Sequence, residues 1–171
     1  MNILIVSNGD IEDYGFYNDI IKETDFIICA DGGARHLRNM DLIPDIILGD
    51  LDSINTNDKN FFLSKNVKFI KYPEKKDFTD TEIATDMAIG MKPDLVTFIG
   101  TLGNRFDHSI SNINLLIKLL NNNIKGKIVN EYNEIYMIND SIELRGKPGD
   151  ILSIIPITNT VNGVTLKGLE Y

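Results

Sequence analysis

The chain has one cysteine, no tryptophan, two histidines and five prolines in 171 residues. A lone cysteine excludes an intramolecular disulfide and any multi-cysteine metal site. Cys29 sits inside the apolar run Phe26 to Ala30 and reads as a small core residue. No apolar run approaches the ~18 residues of a membrane-spanning helix, and the amino terminus opens directly on a strand-like run without a signal-peptide pattern. A cytoplasmic protein without a membrane partner is expected. Positive charge is in deficit: 17 Lys and Arg face 25 Asp and Glu, a net charge of -8. That argues against a nucleic-acid-binding surface. It leaves nucleotides open, because a metal can bridge acids to phosphates.

What remains is an ordinary globular mixture, 43% hydrophobic and 25% charged. The length suits one domain, or one domain with a small annex. Five apolar runs read as buried strands: Ile3 to Val6, Phe26 to Ala30, Ile46 to Leu48, Val67 to Tyr72 and Leu95 to Ile99. Helical patterns separate them, over Tyr14 to Glu23, Ala34 to Met40, Asn57 to Ser64, Thr79 to about Met91, and His108 to about Asn121. Phe61, Phe62 and Leu63 are expected on the buried side of the third helix. Ile83, Ala84, Met87, Ala88 and Met91 should form the fourth helix's stripe, with Gly90 helping to end it. Ile110, Ile113, Leu116, Ile117 and Leu120 should form the fifth helix's stripe. Thr79 and Glu82 fit a capping box, and Asp107 reads as the cap of the last helix.

Strand-then-helix units imply an α/β fold, a Rossmann-like, mainly parallel sheet with helices on both faces. From about residue 125 the texture changes to short strand patterns and turns. The expected strands are Lys127 to Asn130, Glu134 to Ile138, Ser141 to Leu144, Ile151 to Ile155 and Val161 to Leu166, with a hairpin signal at Asn162-Gly163. The expected division is therefore an α/β domain over 1–124 and a smaller all-β domain over 125–171.

In a parallel sheet, ligands sit beyond the carboxyl ends of the strands. Acids cluster there: Asp31 after the second strand, Asp50 and Asp52 after the third, Asp77 and Asp80 after the fourth, Asp107 after the fifth. Each has a local explanation as a turn or cap residue. Six together, with Lys76 and Arg105 as the nearby cations, predict a metal site. Asp50 and Asp52, two apart on extended chain, point the same way, and a hard cation such as Mg²⁺ relieves their repulsion. The glycine loops predict a phosphate-bearing ligand. Gly100-Thr101-Leu102-Gly103-Asn104-Arg105 is a credible phosphate loop, neither a Walker loop nor a dinucleotide fingerprint. Asn8-Gly9 reads as a tight turn or as a backbone loop near a ligand. His108 reads as polar packing rather than a catalyst, and the Lys75-Lys76 pair as a solvated face unless the helix start beside it holds an anion.

Four segments, Asp31-Gly32-Gly33-Ala34, Gly49-Asp50-Leu51-Asp52-Ser53, Lys76-Asp77-Phe78-Thr79-Asp80-Thr81-Glu82 and Gly100 to His108, together resemble the thiamine pyrophosphokinase family in order and spacing. Gly163 to Tyr171 is similar to that family's β-domain. The resemblance implies transfer of the diphosphate of ATP to the hydroxyl of thiamine, giving thiamine diphosphate and AMP. It implies Mg²⁺ as cofactor, ATP as co-substrate and a homodimer with active sites between subunits. By motif match, Asp31, Asp50, Asp52 and Asp80 form the metal and catalytic cluster, with Arg105 and Asp107 as further catalytic residues. Arg105 is expected on phosphate and Asp107 on thiamine. Nucleotide contacts are expected from Asn8, Gly9, Asp77, Thr79, Gly100, Thr101, Gly103 and Arg105, and substrate contacts from Lys76 and Asp107. Asn104 departs from the family's second consecutive glycine but tolerates left-handed backbone. The family's β-domain continues past the point reached by Tyr171, so an incomplete annex is expected. A pyrophosphokinase for another alcohol, such as a hydroxymethylpterin, and a non-catalytic Mg-nucleotide module are the alternatives. A receiver domain also gathers acids at strand ends, but the fifth strand runs into Ile99-Gly100-Thr101 without the lysine such a site uses.

Overall fold

The computed structural model describes residues 1–169 and separates into two units, Met1–Asp140 and Ser141–Tyr171. The first unit carries all the strands and helices found among the described residues. Seven strands form one sheet in the order β4-β3-β2-β1-β5-β6-β7. They are β1 (Asn2–Val6), β2 (Phe26–Ala30), β3 (Ile46–Gly49), β4 (Lys68–Lys71), β5 (Leu95–Ile99), β6 (Lys125–Val129) and β7 (Glu134–Tyr136). All pairings are parallel except the last, β6 with β7. The helices are α1 (Asn18–Lys22), α2 (Ala34–Asn39), α3 (Thr56–Ser64), α4 (Asp80–Met91) and α5 (Phe106–Asn121). Tyr14–Tyr17 and Asp31–Gly33 are 3₁₀ turns leading into α1 and α2.

The central strands are apolar throughout because both faces are covered. In β1, Ile3 and Ile5 pack with Ala84 and Ala88 of α4 and with Leu115, Leu116 and Leu119 of α5. Leu4 and Val6, on the other face, pack with Tyr17, Leu37 and Phe62. Cys29 is buried in that second core, as its apolar setting implies.

Several local expectations change in the fold. In α3, Phe62 is buried but Leu63 is half exposed, because a nine-residue surface helix turns one face, not three consecutive residues, to the sheet. α4 ends at Met91, as expected, but its left-handed cap is Lys92, just before Pro93, and Gly90 stays inside the helix. In α5 the inward residues are Ser109, Asn112, Leu115, Leu116 and Leu119, and Ile110 is exposed. The first two turns of α5 face a polar cleft, so polar side chains take the inward positions there. α5 begins at Phe106 with Arg105 as cap residue, so Asp107 lies in the first turn instead of capping it.

The boundary expected at 124/125 is displaced to 140/141. β6 follows α5 as a parallel crossover and hydrogen-bonds to β5, which makes it part of the main sheet, and β7 returns beside it. The strands expected over 141–166 form no ladder among the described residues. A turn closes at Lys147 to Asp150, where Asp150 N–H donates to Lys147 O at 3.1 Å. Gly163 has the positive φ expected of its turn, +74°. The apolar residues between are exposed, Ile151 at 93% and Ile155 at 73%. An alternating pattern marks a strand that has something to pair with, and those described residues do not pair with one another. The sequence signal at Glu170 and Tyr171 lies outside the described residues.

Candidate active site

The strand order reverses between β1 and β5, the two central neighbours whose chains leave toward opposite edges of the sheet. A cleft of about 490 Å³ opens at their carboxyl ends. In open α/β sheets this is the position where ligands bind. The cleft has two dissimilar walls.

One wall is backbone. The chain leaving β1 runs against the chain leaving β5: Ser7 N–H donates to Ile99 O at 3.0 Å, Gly9 N–H to Gly100 O at 2.6 Å and Asp10 N–H to Leu102 O at 3.0 Å. Glycine at position 9 is required by this contact, since a Cβ there would lie 2.4 Å from Leu102 O. Ser7 Oγ and Thr81 Oγ1, 2.9 Å apart and buried, tie the wall to α4. Asn112 of α5 donates to Thr101 O at 2.7 Å and holds the second loop from below.

The other wall is acidic. Carboxylate oxygens of Asp31, Asp50 and Asp52 all lie within 4.8 Å of one another. Asp31 follows β2 with φ +40°, and Leu51 stands between the other two acids with φ +67°. Such backbone costs on the order of 1–3 kcal/mol per residue and tends to gather at functional sites. Asp80 reaches the same corner from the start of α4: a Cβ on Gly49 would lie 2.9 Å from Asp31 Cβ and 3.1 Å from Asp80 Cγ. Lys76 stands between the acids, with Nζ 3.0 Å from Asp80 Oδ1 and 3.7 Å from Asp50 Oδ2. Its side chain is 14% exposed, so it is inserted in the site rather than solvated. The contact to Asp80 is ionic and off hydrogen-bond geometry, which leaves Oδ1 without a bonded partner.

The electrostatics follow from this crowding. Burial raises the Asp31 carboxyl above its usual range; Asp80, Asp50 and Asp52 add to the rise and Ser53 opposes it. Burial likewise raises Asp80, against the pull of Lys76. For Asp50, burial is overcome by hydrogen bonds from Asp52 and by Lys76, and its carboxyl lies low. Asp31 Oδ1, Asp80 Oδ1 and Thr101 Oγ1 are three of the four buried side-chain oxygens without a hydrogen-bond partner among the described residues, and all three residues line this cleft. Asp80 Oδ1 has the Lys76 ammonium beside it; buried polar atoms are nearly always partnered, so Asp31 Oδ1 and Thr101 Oγ1 point to a ligand. The donor set fits a hard divalent cation: three carboxylates, no sulfur or imidazole.

Of the residues singled out in the sequence, Asn8, Gly9, Asp31, Asp50, Lys76, Thr79, Asp80, Gly100, Thr101, Gly103 and Arg105 line the cleft. Asp52 joins through the carboxylate group. Asp77 and Asp107 do not line it. Asp107 is exposed and taken by Arg105, with Nε to Oδ1 at 3.0 Å and Nη2 to Oδ2 at 2.5 Å. That guanidinium holds its carboxyl down at about 2. Thr79 caps α4, accepting from Glu82 N–H at 3.2 Å. The reciprocal half of the capping box is replaced by a Glu82–Lys118 pair at 3.2 Å. Ser7, Asp10, Thr81, Ser109 and Asn112 also line the cleft and were not anticipated. For Ser109 and Asn112 a signal existed: they continue the stripe of Leu116 and Leu119 at helical spacing with polar side chains.

Comparison with known proteins agrees with this geometry. A family model described as "Thiamin pyrophosphokinase, catalytic domain" matches residues 17–128. Thiamine pyrophosphokinase of Bacillus subtilis (strain 168) is 31% identical over 175 residues, covering 99% of this chain and 80% of that protein. Thiamine pyrophosphokinase 3 of Oryza sativa subsp. japonica is 33% identical over 118 residues, covering 57% and 44%. The crystal structure of the Bacillus subtilis enzyme superposes with a TM-score of 0.67 at 29% identity, over 78% of this chain and 62% of that one. The yeast thiamin pyrophosphokinase structure, at 21% identity and a TM-score of 0.68, shares the fold over 80% and 61%. The chain thus spans about three fifths of the length of these solved structures. With an acid-lined cleft at the β1/β5 switch point and a family match across most of the sheet, the chain belongs to the thiamin pyrophosphokinase family.

Proposed function

We propose that the chain transfers the diphosphate of ATP to the hydroxyl of thiamine, releasing AMP and thiamine diphosphate. The observation that carries this reading is the convergence of Asp31, Asp50 and Asp52, with unpartnered oxygens of Asp31 and Thr101, in the switch-point cleft of a family member.

In this reading the thiamine oxygen forms a bond to the β-phosphorus while the bond from that phosphorus to the α-phosphate oxygen breaks. Charge accumulates on phosphate oxygens, and positioned donors and cations supply most of the rate. Asp31, Asp50 and Asp52 would hold Mg²⁺, which when bound neutralises phosphate charge and orients the transferred group. Asp80 completes the acidic corner. The backbone wall, with Asn8, Gly9, Gly100, Thr101 and Gly103, receives the nucleotide, with Thr79 and Asp77 at the start of α4. Arg105, held by Asp107, offers donors for phosphate, and Lys76 acts on the bound substrates.

The hydroxyl proton goes to a carboxylate. Asp80 is the better base, because burial raises its carboxyl, whereas Arg105 depresses Asp107 and makes it a poor proton acceptor. We further propose a cytoplasmic homodimer with active sites at the subunit interface. The exposed apolar alternation in 141–169 supports a second copy as its partner.

The test is incubation of this chain with Mg-ATP and thiamine, quantifying AMP and thiamine diphosphate. Hydroxymethylpterin serves as the rival acceptor. AMP release with the pterin alone, or Mg-ATP binding with no AMP under either acceptor, would sink the assignment.

A further inference from the structure

Behind the backbone wall, a chain of polar side chains ends on the Gly9 carbonyl. Asn39 Nδ2 donates to the Tyr14 hydroxyl at 2.7 Å. That hydroxyl lies 3.0 Å from His36 Nδ1. His36 Nε2 lies 2.8 Å from Gly9 O. Arg35 Nη2 adds donations to Asn8 O at 3.0 Å and Gly9 O at 3.2 Å. These residues belong to α2 and to the 3₁₀ turn before α1; none of them lines the cleft.

The direction of every bond in this chain is fixed by elementary chemistry. A carbonyl oxygen only accepts, so His36 Nε2 carries a proton. In a neutral imidazole Nδ1 then accepts, and the Tyr14 hydroxyl must donate to it. The Tyr14 oxygen in turn accepts from Asn39. No role conflicts: Gly9 O, with two lone pairs, accepts from both His36 and Arg35. His36 is 2% exposed, and burial favours its neutral form. Asn8, Gly9 and Asp10 line the cleft, and the N–H groups of Gly9 and Asp10 make the contacts to Gly100 and Leu102.

We propose that His36, held in the Nε2–H tautomer by Tyr14 and Asn39, is a positioning residue that fixes the Asn8-Gly9-Asp10 loop for nucleotide binding. It touches neither substrate nor reacting atoms. Its effect passes through Gly9 O to the amides at the cleft wall. For its effect on nucleotide binding, the inference rests on the pyrophosphokinase reading; the tautomer and the order of the loop do not.

The experiment uses the full chain and three variants: Tyr14→Phe, His36→Gln and His36→Leu. Nitrogen-15 NMR of the wild-type imidazole should show the Nε2–H tautomer, and Tyr14→Phe should admit the Nδ1–H form. Amide exchange at Gly9 and Asp10 should rise at least ~5-fold in Tyr14→Phe and His36→Leu, while amides of β3 and β4 stay unchanged. His36→Gln keeps an N–H donor for Gly9 O and should restore most of the protection. In turnover assays the KM for Mg-ATP should rise at least ~5-fold in His36→Leu, with kcat within about twofold. An Nδ1–H tautomer in the wild type, or a uniform rise in exchange across the sheet, would overturn the proposal. So would equal defects in the Gln and Leu variants. If no variant, nor the wild type, acts on thiamine, the proposed reaction fails while tautomer and exchange still decide the role of His36. If His36→Leu does not fold, Tyr14→Phe, whose side chain is only half-buried, carries the test.

Discussion

The two walls of the cleft are built on opposite principles. The backbone wall is hydrogen-bonded along its main chain: loop to loop, loop to Asn112, and from behind by His36 and Arg35. The acidic wall crowds carboxylates, carries two left-handed non-glycine residues and leaves Asp31 Oδ1 and Asp80 Oδ1 without hydrogen-bond partners. Apart from the Lys76 ammonium, nothing in folding favours the second arrangement. Like charges within a few ångströms and orphaned buried oxygens both oppose the folded state. The difference teaches that the backbone wall is held by the protein's own main-chain hydrogen bonds, with Thr101 Oγ1 left over for a ligand, whereas the acidic wall is finished by what it binds.

The largest expected effect comes from removing charge on the acidic wall. Asp50→Asn or Asp52→Asn should lower turnover at least ~100-fold, about 2.7 kcal/mol of barrier, with the circular dichroism spectrum retained. Near-normal turnover with unchanged Mg²⁺ dependence would remove both residues from the site. Breaking the backbone wall should act on stability as well. Gly9→Ala places a methyl against Leu102 O, and a loss of about 2 kcal/mol is expected in urea unfolding. An unaltered midpoint would show that the two loops can separate at little cost.

The comparison sharpens with Asp31→Asn. It should abolish activity yet raise stability by about 1 kcal/mol in metal-free buffer, because it removes one of the crowded charges. Added Mg²⁺ should stabilise the wild type more than the variant. Equal stabilisation of both proteins would deny Asp31 a part in holding the ion.

The walls should also answer pH with opposite signs. Burial lowers the folded-state pKa of His36, so the unfolded chain binds the extra proton. Stability from His36 is present above its unfolded pKa of about 6.5 and is lost as pH falls below that value. The raised carboxyls of Asp31 and Asp80 work the other way. The folded state binds their protons more readily, so it gains stability as pH falls through their folded values. Unfolding measured from pH 7.5 down to about 4 should therefore show the histidine's acid loss in both proteins, offset toward the acid end by a gain from Asp31 that Asp31→Asn lacks. Parallel curves would mean that the two groups do not oppose each other. The smallest effect belongs to α4: Thr79→Ala should cost about 1 kcal/mol through loss of its cap.

Much of the site was legible because its chemistry sits where strands end. An apolar run followed at once by an acid or a glycine is visible in Ile46 to Asp52 and in Leu95 to Gly103 without any structure. Less visible was anything that depends on the rotation of a helix. The stripe of α5 passes through Ser109 and Asn112 because its first turns face a polar cleft, and apolar periodicity instead selected Ile110. Lys76 read as half of a solvated pair, since linear sequence does not show that Asp50, from another segment, stands beside it together with Asp80. Likewise Asp107 read as a cap, while its neighbour Arg105 takes the carboxylate first.

By itself the amino-acid sequence determined the parallel α/β sheet, through buried apolar runs alternating with amphipathic helices, and the acids and glycines at its strand ends. Those are local properties, set by side-chain period and backbone preference. Tertiary structure alone decided that β6 and β7 join the main sheet, that Lys76 meets Asp50 in the acidic corner and that His36 reaches the Gly9 carbonyl. Each of these is a contact between distant segments, and its strength lies in which groups are left with no other partner once the chain has closed.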